Sequence, residues 1–206
     1  MSTDLIQELV DSCRYLYEKG WATSTSGNLS AGVDDKIYLT ATGIALADVT
    51  RDNLAVTDLE GNPINRVAPT KEAGVHLAIY RRHPDARAVI HVHPANTIAV
   101  TLQMDLQKDF HLPSLTPQFV MRAGRVPVIP YHPPGSIELA KAVEKSDARK
   151  AVALQNYGLI AFASDFASAV GIIEETEANS QIRLLAGSAA KVLTEDEIAF
   201  LLTRKM

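Results

Sequence analysis

The sequence predicts a layered α/β fold built around a mixed or antiparallel central sheet. Segments in which apolar residues recur every three or four positions alternate with short runs rich in β-branched residues. Several of these short runs are joined by turn-forming residues, which is typical of hairpins and favours antiparallel neighbours. No linker-like or low-complexity segment interrupts the chain, so we expect residues 1–206 to form a single domain.

Helix signals are clearest near the two ends of the chain. The first helix is predicted from about Leu5 to Gly20, and the last begins at Thr194, which has capping-box spacing to Glu197. Residues 105–125 show no period, because prolines and glycines break it, and residues 21–30 are expected to be a loop. Further helices are predicted over 70–82, 94–102, 137–145 and 166–185, and strands over 36–40, 54–57, 88–93, 126–131, 151–154 and 159–163.

The composition excludes several classes of protein. The formal net charge is −4, so no basic field favours nucleic acid or an anionic membrane as partner. No stretch approaches the ~20 apolar residues that a membrane span needs, and the first residues lack a secretory signal. Cys13 is the only cysteine, so neither a disulfide within the chain nor a thiolate metal site is possible. We therefore expect a cytoplasmic enzyme or binding protein.

Two histidines at the end of one predicted strand are the first candidate for chemistry. His91 and His93 are two residues apart in the run Ala88–Pro94, so both side chains point to the same side of the strand. Two imidazoles held on a rigid element can bind a divalent metal with little ordering cost. A hydrogen-bonded or solvated pair is the other interpretation of this spacing.

A short motif upstream adds an acidic group. In Pro69-Thr70-Lys71-Glu72, Glu72 falls in the first turn of a predicted helix, where the helix dipole stabilises a carboxylate. Glu72 can serve as a general acid/base or as a metal ligand, although glutamate is also a common residue at helix starts. His76 lies one turn further on the same face, and we expect it to contact Glu72 within the fold rather than to ligate a metal.

Hydroxyl-rich turns supply candidates for binding an anion. Turns with exposed backbone N–H groups, placed next to a helix start, can hold a phosphate without a strongly basic site. Lys71 adds one positive charge there and can instead meet a substrate carboxylate. The candidate phosphate-binding residues are Ser26, Gly27, Asn28, Thr42, Gly43, Thr70 and Lys71.

Taken together, these motifs resemble the class II aldolase/adducin superfamily. The strings Thr25-Ser26-Gly27-Asn28, Thr42-Gly43, Pro69-Thr70-Lys71-Glu72, His91-Val92-His93 and Asn156-Tyr157-Gly158 occur in the order seen in that superfamily, over residues 4–186. The resemblance implies a three-layer α/β/α domain with a mainly antiparallel or mixed sheet, and a homotetramer with sites between subunits. It also implies a zinc, manganese or cobalt ion, a phosphorylated keto-sugar substrate and an enediolate intermediate.

Within the superfamily, two strings are most similar to the 3-oxo-tetronate 4-phosphate decarboxylase branch. They are Pro69-Thr70-Lys71-Glu72 and the stretch 126–135. The fuculose-phosphate aldolase pattern has a serine at the position of Lys71, and a lysine there suits a substrate that carries a carboxylate as well as a phosphate. The implied reaction is decarboxylation of a 3-oxo-tetronate 4-phosphate. Retro-aldol cleavage of a ketose 1-phosphate and a non-catalytic, adducin-like binding module are the alternatives.

One residue departs from the superfamily pattern. The third metal histidine of the superfamily corresponds to Tyr157, and a phenol binds metal well only as phenolate. Three alternatives follow. Tyr157 ligates the metal; or Glu72 completes the site with His91 and His93 while Tyr157 donates a proton; or metal binding has been lost. In the implied mechanism Glu72 moves the proton, and either Tyr131 or Tyr157 acts as an acid toward the intermediate.

Overall fold

The computed structural model describes residues 4–204. At its centre is a seven-stranded sheet with the order β3-β2-β1-β4-β7-β6-β5. Every neighbouring pair is antiparallel except β5 and β6, which are parallel, so the mixed, mainly antiparallel sheet predicted from the sequence is confirmed. The strands are β1 Asn28–Val33, β2 Lys36–Leu39, β3 Ala55–Thr57, β4 Ala88–Val92, β5 Val128–Ile129, β6 Ala151–Leu154 and β7 Gly158–Ala163.

Side-chain caps begin most of the helices. Asp4, Ser136 and Asp165 each accept a hydrogen bond from a backbone N–H in the first turn, which satisfies a group that the helix leaves unpaired. The capping box predicted for Thr194 and Glu197 is present. The helices are α1 Leu5–Glu18, α2 Ala73–Arg82, α3 Ala95–Leu102, α4 Pro117–Ala123, α5 Ile137–Lys145, α6 Phe166–Ala186 and α7 Glu195–Leu202.

Two hydrophobic cores lie on opposite faces of the sheet. Helices α2 and α5 pack together on one face, whereas α1, α3, α4, α6 and α7 contribute to the core on the other. Strand β4 serves both cores, because Ile90 and Val92 enter the larger one and Val89 the smaller. This arrangement gives the expected three layers and directs His91 to the side of α2.

Four predicted boundaries need correction. The helix expected from Thr70 begins only at Ala73, because the Thr70 N–H donates to the Thr40 carbonyl and holds this residue at the sheet. The expected loop over 21–30 already belongs to β1 from Asn28 onward, which pairs with His91 of β4. The strand expected over 126–131 is limited to Val128–Ile129, and the unassigned region 105–125 contains α4.

No helix within residues 4–204 combines the length and the apolar character required to cross a bilayer.

Candidate active site

The two histidines meet at the end of β4. His91 is buried, His93 is half-buried, and their Nε2 atoms are 3.1 Å apart. The Nδ1 of His91 lies 3.2 Å from the Leu159 carbonyl oxygen, and because a carbonyl only accepts, Nδ1 carries the proton. Burial lowers the pKa of His91 and lowers that of His93 to about 4. Both rings are therefore neutral at pH 7, and the Nε2 of His91 presents a lone pair.

Gly158, at the start of β7, allows this strand to lie close to β4 and to the rings of the two histidines. A Cβ on this residue would lie 2.5 Å from the Val92 carbonyl oxygen and 2.9–3.0 Å from ring carbons of His93 and His91. Any side chain would push β7 away from β4 and displace both rings. The glycine of the Asn-Tyr-Gly turn is thus required by close packing against the histidine pair.

Glu72 faces the histidines from the residue just before α2. One carboxylate oxygen, Oε2, lies 3.3 Å from His91 Nε2 and accepts a hydrogen bond from Asn28 Nδ2 at 2.9 Å. The other, Oε1, accepts from the Tyr157 hydroxyl at 2.7 Å. Burial disfavours the charged form, but the attraction to His91 once that ring is protonated, together with the hydrogen bonds from Asn28 and Tyr157, outweighs burial and lowers the pKa of Glu72. Glu72 is therefore an ionised, nearly buried carboxylate.

A buried chain of hydrogen bonds fixes the orientation of Asn28. Its Oδ1 lies 2.6 Å from His76 Nε2, and the Nδ1 of His76 lies 2.6 Å from the Ser30 hydroxyl, which is 3.0 Å from the Tyr80 hydroxyl. Burial lowers the pKa of His76 to about 3, so this ring carries one proton, on Nε2, which it donates to Asn28. The amide of Asn28 must then present its N–H groups to Glu72. The expected contact of His76 with Glu72 is thus indirect and runs through Asn28.

Tyr157 is a neutral hydrogen-bond donor in this arrangement. Its ring lies 4.9 Å from that of His91 and 5.1 Å from that of His93, measured between centroids. Burial and the adjacent Glu72 charge raise the pKa of its phenol well above the ordinary value. The hydroxyl therefore keeps its proton and directs it at Glu72.

A cavity of about 290 Å³ adjoins these groups. Glu72, His93 and Tyr157 form one part of its wall, and the loop around Gly135 closes over Lys71, since a Cβ on Gly135 would lie 2.9 Å from the Lys71 carbonyl oxygen. Each candidate phosphate-binding residue lines this cavity: Ser26, Gly27, Asn28, Thr42, Gly43, Thr70 and Lys71. The structure thus places the candidate phosphate-binding residues beside the candidate catalytic and metal-binding residues Glu72, His93 and Tyr157.

Two site features differ from the expectations. Tyr131 has 58% of its surface exposed and is not part of the cavity wall, although its proximity contributes to the raised pKa of Tyr157. Glu177 of α6, which the sequence analysis did not select, accepts hydrogen bonds from the backbone and side chains of Asn96 and Thr97 at 2.7–2.9 Å. The sequence offers no signal that separates Glu177 from the neighbouring Glu174 and Glu175, because only the folded structure shows that Glu177 is buried. Glu177 anchors the start of α3, which is separated from His93 by Pro94 alone.

The Nε2 of His91 lies close to two further groups that can donate an electron pair to a metal ion, the Nε2 of His93 and the Oε2 of Glu72. Donor atoms around a tetrahedral zinc ion are roughly 3.3 Å apart, and the separations of 3.1 Å between the imidazoles and 3.3 Å between His91 and Glu72 match this spacing. Within residues 4–204, no three His, Cys, Asp or Glu side chains form a ready-made metal cluster. The Glu72 carboxylate is instead hydrogen-bonded by Asn28 and Tyr157. The donor chemistry nevertheless suits a divalent cation.

A family profile matches most of this chain. The family is described as Class II Aldolase and Adducin N-terminal domain, and the match covers residues 7–184. The chain belongs to this family. The resemblance noted from the sequence motifs is thereby confirmed.

Curated relatives of this class II aldolase-family chain include enzymes with two activities. A 3-oxo-tetronate 4-phosphate decarboxylase of Haemophilus influenzae is 34% identical over 201 residues, which cover 95% of this chain and 96% of the relative. An L-fuculose phosphate aldolase of Methanocaldococcus jannaschii is 32% identical over 179 residues, covering 87% of this chain and 95% of the relative. The chain thus aligns over nearly the full length of both.

Solved structures agree with the class II aldolase fold. The chain is similar to YgbL of Escherichia coli, titled a putative aldolase/epimerase/decarboxylase, with a TM-score of 0.88, 29% identity and coverage of 96% and 97% of the two chains. An L-fuculose 1-phosphate aldolase superposes with a TM-score of 0.86 at 28% identity, covering 98% and 96%.

Proposed function

We propose that this protein is a divalent-metal-dependent lyase that decarboxylates a 3-oxo-tetronate 4-phosphate. The observation that carries the proposal is the convergence of His91, His93 and Glu72 beside a cavity lined with anion-binding groups. The 34% identity to a decarboxylase with that substrate in its name supports the choice of reaction.

The proposed metal ligands are His91, His93 and Glu72. Held by these residues, a zinc, manganese or cobalt ion would supply Lewis acidity toward the substrate carbonyl. The hydrogen bond from His91 Nδ1 to the Leu159 carbonyl fixes the tautomer that leaves Nε2 free as a donor. The chain through Asn28 and His76 holds Glu72 in place.

Substrate binding falls to the remaining walls of the cavity. Gly27 and Gly43 both have φ near +76°, so their turns can expose backbone N–H groups to the phosphate. Lys71 provides the positive charge for the second anionic group of the substrate, its carboxylate. Binding both ends holds the bond between them in a fixed orientation while it breaks.

The proton chemistry is assigned to Tyr157 and Glu72. When the carboxylate leaves as carbon dioxide, the electron pair of the broken bond passes into the neighbouring carbonyl and produces an enediolate. The carbon that lost the carboxylate must then receive a proton. Tyr157 holds a proton at the edge of the cavity, and Glu72 accepts its hydrogen bond at 2.7 Å, so the pair can deliver that proton and recover one from solvent.

An assay of gas release separates this reaction from aldol cleavage. Both reactions yield dihydroxyacetone phosphate through the same enediolate, but only decarboxylation releases carbon dioxide. We expect the zinc-, manganese- or cobalt-loaded protein to release one equivalent of carbon dioxide per 3-oxo-tetronate 4-phosphate consumed. His91→Ala should lose both bound metal and activity, whereas His111→Ala, outside the cavity, should keep both.

Three results would contradict the proposal. Cleavage of L-fuculose 1-phosphate without carbon dioxide release from the tetronate would reassign the chain as an aldolase, the activity named for its Methanocaldococcus jannaschii relative. No bound metal and no activity after metal addition would favour a binding module. Retention of metal by His91→Ala would remove this residue from the ligand set.

We further propose a homotetramer, for which light scattering should give four times the 22.3 kDa chain mass.

A further inference from the structure

A second cavity, of about 910 Å³, opens at the opposite end of the sheet. It lies at the start of β4 and the end of β7, whereas the candidate active site lies at the other ends of these two strands. The two cavities share no lining residue. The proposed lyase reaction therefore does not account for this second cavity, which we name the basic cleft.

The wall of the basic cleft carries a surplus of positive charge. Five cationic side chains line it against two carboxylates, in a chain whose overall charge is −4. One of those carboxylates, Asp147, is already paired with His111 at 3.0 Å. The five cations are Arg82, Arg122, Arg149, Lys150 and Arg204. Within residues 4–204, the first four of them form no ion pair with a carboxylate.

Helix ends explain only part of this cluster. Arg82 and Arg122 lie in the last turns of α2 and α4, where positive charge is stabilised by the helix dipole. Lys150 donates to the carbonyl oxygens of Met121 and Arg122 at 3.3 and 3.0 Å, which satisfies the end of α4. Arg149 lies outside these helices, so the dipoles do not explain its charge in the wall.

The position of one guanidinium is defined by packing. The Nε of Arg122 lies 3.5 Å from the place that a Cβ on Gly171 would occupy, so this side chain runs along the bare backbone of α6. A guanidinium held in this way loses little freedom when it binds an anion. Burial, Arg82 and Arg149 lower the pKa of His83, and burial and Arg122 lower that of Lys150. The positive groups are therefore close enough to repel one another electrostatically.

We propose that the basic cleft binds a small molecule bearing several phosphate groups. Arginine offers paired N–H donors that match phosphate oxygens, and a multiply charged anion would remove the repulsion among the cations. The ring of His83 packs on that of Phe162 at 4.4 Å between centroids, which adds an aromatic wall for the uncharged part of such a ligand. The volume suits a ligand the size of a nucleotide.

Calorimetric titration of the full-length protein with ATP and with inorganic triphosphate tests the proposal. We expect one ATP per chain, with Arg122→Gln and Arg149→Gln each weakening binding at least about tenfold, the scale of one charge-assisted contact. Arg66→Gln removes an exposed arginine that does not line the cleft, and it should leave the affinity unchanged. His91→Ala should also bind ATP normally, which keeps this test independent of the proposed lyase site.

The affinities for the two probes and the effects of the arginine variants each support or overturn the proposal. Equal affinities for ATP and triphosphate would show that the phosphates alone are recognised, and tighter binding of ATP would show that the aromatic wall contributes; both support the site. The absence of binding by either probe would overturn the proposal. Equal weakening by Arg66→Gln and Arg149→Gln would also overturn it, since the affinity would then reflect only the overall charge.

Discussion

Replacing Glu177 by alanine should destabilise the protein more than its distance from the reacting groups suggests. The carboxylate accepts four hydrogen bonds from the first turn of α3: two from Asn96 at 2.9 Å, and two from Thr97 at 2.8 and 2.7 Å. Asn96 is only half-buried, so water can replace its bonds, but Thr97 is fully buried. Each buried donor left unsatisfied costs about 1–3 kcal/mol. We therefore expect a loss of about 3–5 kcal/mol.

Urea unfolding followed by circular dichroism measures this loss directly. Glu177→Gln provides the matched control, because it keeps the shape and one acceptor oxygen and should cost about half as much. Since only Pro94 separates His93 from α3, the alanine variant should also bind the proposed divalent metal more weakly. A change below about 1 kcal/mol in the alanine variant would refute the view that this carboxylate anchors the helix start.

The other predictions concern the candidate site itself. Gly158→Ala should lower the free energy of unfolding by about 3 kcal/mol, because its Cβ would lie 2.5 Å from a backbone oxygen of β4. Gly74→Ala, in α2 with no non-local atom closer than 3.8 Å, should instead be neutral or stabilising in the same urea titration. Tyr157→Phe should reduce kcat by about 10²-fold with bound metal unchanged, and loss of metal with normal activity per ion would contradict the assigned role. Burial lowers the pKa of His76 to about 3 from an ordinary 6.5, so between these values only the unfolded chain binds the proton. Stability should thus fall as pH drops through this window, by about 1.4 kcal/mol per unit from His76, and His76→Gln should reduce the slope of unfolding free energy against pH.

Sequence periodicity and capping residues predicted the helices whose positions depend on local sequence. Helix α5 has the predicted bounds of 137–145, and α6 and α7 begin after the predicted caps, because amphipathic spacing and capping side chains are local properties. Helix α4 was missed, since its seven residues are too few to establish a period. The start of α2 was placed too early, because a long-range hydrogen bond from Thr70 to Thr40 decides it.

The site shows the same limit at the level of side chains. His91 and His93 could be paired from the sequence, because a strand alternates its faces every two residues. Asn28 and Glu72 lie 44 residues apart, and nothing local indicates their hydrogen bond. The requirement for Gly158 depends on the separation of two strands, which only the folded sheet defines. Motif order can indicate which residues form the site, whereas their hydrogen bonds depend on the tertiary structure.

In the proposed mechanism, the tyrosine at position 157 supplies a proton where the superfamily pattern is expected to have a histidine ligand. A histidine there would offer a further neutral donor to a cation, whereas the Tyr157 hydroxyl donates its proton to Glu72 and so reduces the negative charge that Glu72 can share. Affinity for the metal should therefore be lower than with three histidines. In return, the cavity holds an acidic hydrogen next to an ionised carboxylate. Decarboxylation consumes one proton at carbon for each molecule of carbon dioxide released. A proton source beside Glu72 therefore serves the proposed reaction better than a higher affinity for the metal would.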